Sequence, residues 1–370
     1  VRRPRISRVA VLAGVGAFLL TFAALLRFFV YEGVLALPLQ HNRTYRLESP
    51  VSTFLDTGTL VSYDRVPLVS TTTLSGDAAA GDGNVAVWTE FTTLDTPFGE
   101  RVAYHERRTA FDRRTGLAVD CCDGYVDDDP GARQTGLAFR LPFRAQPRVY
   151  PMYDTVLRRP VPLLFEREEE VRGLRTYRYA YRTGFIKIED LPGKLPGRLL
   201  GLPGTRSVAV ARYAQVSRTL WVEPESGLTV RAQEQHRQEL RTSDGRGRRV
   251  SLRADLVTPA SEVAGMVAEA RAFTRWVLVV RDALPGFLFA VGLVFLLLAV
   301  RPLERLRRTS STPGPEPDPE PAREPDAEPG PEPDPASTPE PGSGTGADSP
   351  PKSETGPEPG SGTVPERAGA

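Results

Sequence analysis

Two stretches of the chain are apolar on every side, without the wet face that a soluble helix or strand keeps. From Val9 to Leu26 the text is VAVLAGVGAFLLTFAALL, eighteen residues with no charge, and it continues through Arg27 into Phe28, Phe29, Val30 and Tyr31. A helix of eighteen residues rises about 27 Å, close to the roughly 30 Å hydrocarbon core of a bilayer. The second stretch, LPGFLFAVGLVFLLLAV from Leu284 to Val300, has Pro285 in its first turn, where a missing N–H costs nothing. Both predict membrane-spanning helices, at 9–30 and 284–300. Arg2, Arg3, Arg5 and Arg8 precede the first, and Arg301, Arg305, Arg307 and Arg308 follow the second. The positive-inside bias therefore places both basic flanks, 1–8 and 301–308, in the cytoplasm, and residues 31–280 outside the plasma membrane. Val34 and Ala36 also suit a signal-peptidase cut, but the uncharged core exceeds the usual length of about 7–15 residues, which favours an uncleaved anchor.

Between the spans the apolar period shortens to two. Val85–Leu94 (VAVWTEFTTL) is rich in β-branched and aromatic residues, and Leu174–Thr183 puts Tyr177, Tyr179 and Tyr181 on one face with Arg178 and Arg182 on the other. Val208–Val222 and Leu228–Thr242 flank the turn text Glu223-Pro-Glu-Ser-Gly227, and Val250, Leu252, Ala254 and Leu256 alternate after a further loop. An antiparallel meander follows. From Ala260 onward, Val263, Met266, Val267, Ala270, Phe273, Val277 and Val280 recur at helical spacing, with Trp276 suited to a bilayer interface. The expected fold class is thus an α+β membrane protein: an antiparallel β-rich extracytoplasmic domain over 31–259, an amphipathic helix over 260–281, and a transmembrane helix at each end.

One internal echo stands out. Asp112-x-x-Thr115-Gly116-Leu117-x-Val119 recurs as Glu223-x-x-Ser226-Gly227-Leu228-x-Val230, offset by 111 residues. In each copy the acid and hydroxyl suit local backbone N–H groups and the glycine suits a positive φ. Chance and duplication both account for so ordinary a turn.

Composition divides the chain again. Of the 35 prolines, 17 fall in residues 309–370, with 13 acids against three bases, so this tail carries 3 − 13 = −10 and the rest +11 of the net +1. Such text cannot bury enough apolar surface to fold, and a disordered, polyproline-like tail is expected there.

Candidate chemistry is sparse. Cys121 and Cys122 are the only cysteines, and the expected compartment is oxidising. A local disulfide, a bridge between two chains and two free thiols all remain open. His41, His105 and His236 are scattered, without HExxH or GxSxG spacing in the outer segment, so no catalytic residue, metal site or cofactor is expected. Asp127, Asp128 and Asp129 lack the alternation of a calcium loop and read as a solvated turn.

Beyond these patterns, Phe111-Asp-Arg-Arg-Thr-Gly116 before the cysteine pair, Gly136-Leu-Ala-Phe-Arg-Leu-Pro-Phe143, Tyr150-Pro-Met-Tyr-Asp154 and Glu169-Glu-Val-x-Gly-Leu-x-Thr-Tyr177 carry a family likeness. With the two spans, the chain resembles the actinobacterial porin PorA family, formerly a family of unknown function, over about residues 6–305. The resemblance implies an actinobacterial envelope protein with a helix at each end and no catalytic residues to carry over. Trp221-Val-Glu-Pro-x-Ser-Gly227 is similar to turn motifs of lipoprotein-carrier sheets, in which a curved sheet holds acyl chains against a helix. The expected function is a membrane-anchored, non-catalytic extracytoplasmic binding protein of the cell envelope, with lipid as a candidate ligand and Trp88, Tyr177, Tyr179, Tyr181 and Trp221 as candidate pocket walls. The alternatives are a scaffold joining cytoplasmic partners of the tail to the envelope, and an oligomeric channel. Expected partners are membrane lipids and an envelope protein or further copies of the chain, not nucleic acid.

Overall fold

The computed structural model describes residues 8–30, 35–204 and 206–309, with side chains described as far as Arg301. Residues 1–7 and the expected Pro- and acid-rich tail beyond Thr309 lie outside the described residues. Helix α1 (Arg8–Leu25) continues as a π-helical turn, Leu26–Val30. Thirteen strands follow among the described residues: β1 (Asn42–Leu55), β2 (Ser62–Gly76), β3 (Val85–Asp95), β4 (Arg101–Asp112), β5 (Ala118–Val119), β6 (Tyr125–Val126), β7 (Tyr150–Asp154), β8 (Arg159–Val171), β9 (Leu174–Arg182), β10 (Ile186–Pro196), β11 (Ser207–Glu223), β12 (Leu228–Arg241) and β13 (Gly247–Val257). Helix α2 (Ala260–Leu278) and helix α3 (Leu284–Thr309) end the described chain.

The strands pair antiparallel in the order β5-β4-β3-β2-β1-β13-β12-β11-β9-β8-β7. Strand β11 is long enough, at 17 residues, to hold β9 along one half of an edge and β10 along the other. The alternation that predicted the strands sets their facing: along β13, Leu252, Ala254 and Leu256 are buried while Arg253 and Asp255 between them are exposed.

The two ends of this sheet meet. Leu137 bridges Leu117, beside β5, and Met152 in β7. The Leu137 N–H donates to the Pro151 carbonyl at 2.6 Å, the Tyr153 N–H to the Leu137 carbonyl at 3.1 Å, and the Ala138 N–H to the Gly116 carbonyl at 2.9 Å. The segment 136–138 thus acts as a closing staple, and the curled sheet becomes a ring with an inside.

Both copies of the repeated turn hold the chain at and just after this staple. Asp112 accepts the N–H groups of Arg114 and Thr115 at 3.0 and 2.7 Å, and Glu223 accepts those of Glu225 and Ser226 at 3.0 and 2.7 Å. The glycines Gly116 and Gly227 take φ of +73° and +67°. A Cβ on Gly227 would lie 2.4 Å from the Leu141 carbonyl oxygen and 2.5 Å from that of Pro142. Only glycine lets the turn sit so close.

At the apolar end, α1 and α3 pack side by side. A Cβ on Gly16 would lie 2.8 Å from Leu296 Cγ and 2.9 Å from the Gly292 carbonyl oxygen, the close approach that small residues allow between apolar helices. Arg27 pairs with Asp282 at 2.5 Å and donates to the Arg281 carbonyl at 2.9 Å. Arg8–Val30 and Ala260–Arg301 are long and apolar enough to cross a membrane. Phe18, Phe28, Phe287 and Leu297 are exposed on them.

The helix expected from Leu284 does begin there, and α2 runs into it without a gap through a π-helical turn, Val279–Ala283. The Leu284 N–H bonds five residues back to the Val279 carbonyl. That wider turn makes room for the Pro285 ring, so the proline is absorbed rather than ending the helix.

Gly227→Ala is expected to lower stability by about 1–3 kcal/mol, seen as a lower Tm of the full chain in neutral detergent. Gly83→Ala, with open space around its Cβ position, should leave the Tm unchanged.

Candidate functional site

The ring encloses a cavity of about 260 Å³. One wall comes from β1–β4, the facing wall from β11–β13, and α2 adds Met266 and Glu269. Helix α2 reaches this position by burying Val263, Met266, Val267 and Ala270 in one cluster with Leu228 and Val230 of β12. The other half of the ring's interior is filled by chain, because Leu137, Leu141, Tyr150, Met152 and Leu157 pack with Tyr179, Val216 and Leu220.

Strand register arranges the lining in rows. Arg43, Leu74, Glu90 and Arg107 lie opposite one another across β1–β4. The next row along is Tyr45, Thr72, Thr92 and His105, and the one after that Leu47, Ser70, Leu94 and Ala103. On the facing wall, Leu256, Glu234 and Arg218 share a row, and His236 and Gln238 continue along β12. One wall is therefore graded. On β1–β4 charge collects near Arg43 and Glu90, and Leu47 and Leu94 lie about 13 Å further along their strands; on the facing wall Leu256 shares its row with Glu234 and Arg218, and Leu252 lies opposite Gln238.

Two buried ion pairs stand in the middle. Arg107 donates from Nε and Nη2 to the two Glu90 oxygens at 3.0 Å each, and Nη2 also reaches the Ala138 carbonyl at 2.7 Å. Its guanidinium lies over the Phe139 ring at 4.5 Å. Opposite, Arg218 pairs with Glu234 at 2.7 Å, and the second Glu234 oxygen meets His236 Nε2 at 3.0 Å. Burial alone pushes the Glu234 carboxyl up, but Arg218 and His236 more than offset it and hold it at about 2. Beside them, Tyr181 donates to Asp154, and burial raises the Tyr181 hydroxyl well above its usual range.

Of the candidate wall residues, Trp88 lines the cavity, with its indole N–H on the Pro38 carbonyl at 3.2 Å and His41 stacked on it at 4.2 Å. Tyr177, Tyr179 and Tyr181 are buried in the filled half of the ring, away from the cavity lining. Trp221, beside a register shift in the β11–β12 pairing, lies between the Arg178 and Arg231 guanidiniums at 5.4 and 4.5 Å and belongs to the cluster joining β12 to α2. Cys121 and Cys122 are joined to each other by a disulfide at the rim beside β4, with Cys122 at φ +63°. Asp127 is not simply solvated: it holds His105, Arg158 and the Glu106 N–H, and although burial acts against it these bonds lower its carboxyl to about 2.

The lining charges Glu90, Arg107, Arg218 and Glu234 belong to no motif in the sequence. Their signal is parity: Glu90 lies two residues from Trp88 and two from Thr92, on the inward side of an alternating strand. Arg140 sits in a loop, without that parity, and its signal is its place in the Gly136–Phe143 stretch that carries the family likeness.

Glu234→Gln is expected to leave Arg218 without its counter-charge and to destabilise the domain by about 3–5 kcal/mol. The wild-type carboxyl falls from an ordinary 4.5 to about 2, so its contribution is complete above 4.5 and disappears as pH falls toward 2. Acid unfolding followed by tryptophan fluorescence should show the wild type and the variant converging over that window.

Comparison with known proteins adds a family. The model of the Porin PorA family matches residues 9–301, and the chain belongs to that family. A relative from Corynebacterium amycolatum, named Porin PorA, is 28% identical over 157 residues, covering 35% of this chain and 41% of that protein. The chain thus spans about two fifths of the relative it matches.

Proposed function

We propose that the protein is a membrane-anchored, non-catalytic binding protein of the cell envelope. In this reading α1 and α3 cross the plasma membrane with their basic flanks in the cytoplasm, and the β-domain outside binds a small amphipathic ligand in its cavity, a membrane lipid or a related envelope compound. The observation that carries it is the β1–β4 wall of the cavity, with charged side chains near Arg43 and Glu90 and Leu47 and Leu94 further along the same strands. An all-apolar acyl pocket would not tolerate two buried ion pairs in its wall, whereas a ligand with a polar head and a short apolar tail matches both ends.

The family name supports a second reading, an oligomeric channel. The ring itself does not suit lipid on its outside, because Arg231, Arg237, Arg253 and Asp255 are exposed on the outward faces of β12 and β13. The apolar stretches of α1 and α3 carry no polar stripe to line water. A pore would need several copies, contributing surfaces that one chain lacks. Conductance of the purified chain in planar bilayers, at steps that scale with an isolated oligomer, would favour this reading over the first.

Native mass spectrometry of the full chain in mild neutral detergent should show co-purifying small amphipathic molecules. Ala232→Trp, which fills the cavity wall, should abolish them. No bound molecule in either protein overturns the binding reading. Reporter tags near Asp123 and Ala370 should report opposite sides of the membrane, and a shared side overturns the placement.

A further inference from the structure

Five arginines line the cavity: Arg43, Arg46, Arg107, Arg140 and Arg218. Four have a carboxylate partner. Arg43 is held by both oxygens of Glu269, Arg46 meets Glu48 at 3.4 Å, Arg107 meets Glu90 at 3.0 Å and Arg218 meets Glu234 at 2.7 Å. Arg140 pairs with none among the described residues. Its Nη2 donates to the Ser226 carbonyl, its guanidinium lies over the Phe143 ring at 5.1 Å, and its Nε is buried without an acceptor.

The surroundings do not repair the imbalance. Glu223 is near enough to act on Arg140, but its oxygens already receive the N–H groups of Glu225 and Ser226. Glu269 is spent on Arg43. The remaining neighbours are His41, whose basicity is lowered by burial, Arg140 and Arg43, and Tyr45, whose hydroxyl is raised by burial. Both are neutral near pH 7. Burial is felt by Arg140 too, lowering its guanidinium to about 10, still charged at neutral pH. Arg140 is half-buried, and a cation held largely out of water without a counter-charge is costly, a cost that an anion in the cavity would relieve. A guanidinium that lines the cavity without a carboxylate partner fits a phosphate or carboxylate.

We infer that the Arg140 guanidinium is an anion-binding subsite of the cavity, which takes the phosphate or carboxylate head of the bound ligand. This rests on the reading of the cavity as the ligand site. Arg140 holds the head beside His41 and Tyr45, and the leucines further along the strands take the tail.

The test is calorimetric titration of the full chain in neutral detergent with hexyl phosphate, hexanol and inorganic phosphate, each corrected for a detergent blank. Hexyl phosphate should bind about ten- to a hundredfold tighter than hexanol, the span of one charge-assisted contact. Arg140→Met should erase that preference and Arg140→Lys should keep part of it. Inorganic phosphate binding as tightly as hexyl phosphate assigns the subsite to a free anion, and clearly weaker binding assigns it to an alkyl-bearing one. Equal binding of hexanol and hexyl phosphate by the wild type, or a preference that survives in Arg140→Met, overturns the subsite while leaving the cavity as a binding site. No binding of any probe by the wild type overturns both. Should Arg140→Met fail to fold, the wild-type ratio and Arg140→Lys decide.

Discussion

The closing staple at 136–138 is the constraint on which the inside of this molecule depends. An open sheet of many strands has two edges and no enclosed volume. Here Leu137 bridges to both edges, to Leu117 beside β5 and to Met152 in β7, and Gly136 takes φ +85° so that the chain can pass against Pro151. A Cβ at Gly136 would lie 2.6 Å from the Pro151 carbonyl oxygen. The two repeated turns brace the chain from Leu137 to Pro142 through Gly116 and Gly227. Closure, and not the strands alone, turns inward-facing polar residues into a lining.

Closure also explains why charge is tolerated inside. On an open sheet, Glu90 and Glu234 would be solvated and their arginines would add little. In the ring each is held by a short ion pair, and the side-chain exposures of Arg107 and Glu90 are 4% and 15%. Removing one partner then costs far more than the pair contributes, so the four residues lock one another in place. Arg140 departs from this rule: it lines the same cavity with no carboxylate partner among the described residues, whereas Arg43, Arg46, Arg107 and Arg218 each have one.

Much of the architecture was legible because it rests on period. The alternation of β13, the tyrosine face of β9 and the stripe of α2 each follow from which side is buried, and side is what period encodes. The turns at Asp112 and Glu223 were legible as local chemistry. The cavity was not. Tyr177, Tyr179 and Tyr181 do face inward, but the half of the ring they face is filled by residues 137–157, and no local pattern reveals which half a distant loop will occupy. Pro285 stands in the first turn of α3, as its position in the sequence suggests, but the π-helical turn before it joins α3 to α2, and no period in the sequence announces that join.

That unbroken helix ties the cavity to the pair of apolar helices α1 and α3. Met266 and Glu269 stand in the cavity wall, and the same helix continues through Val279–Ala283 into α3, which is seated on α1 at Gly16 and Gly292. Arg27 and Asp282 clasp the two helices at the turn between these regions. A flexible linker would let the β-domain drift from the bilayer, but a helix carries direction as well as distance. On the proposed placement, the Arg43 end of the cavity, where Glu269 closes on it, is held at a fixed height over the headgroups. The proposed ligand, with a charged head and an apolar tail, would then meet Arg43 and Glu90 first and Leu47 and Leu94 further along β1 and β3.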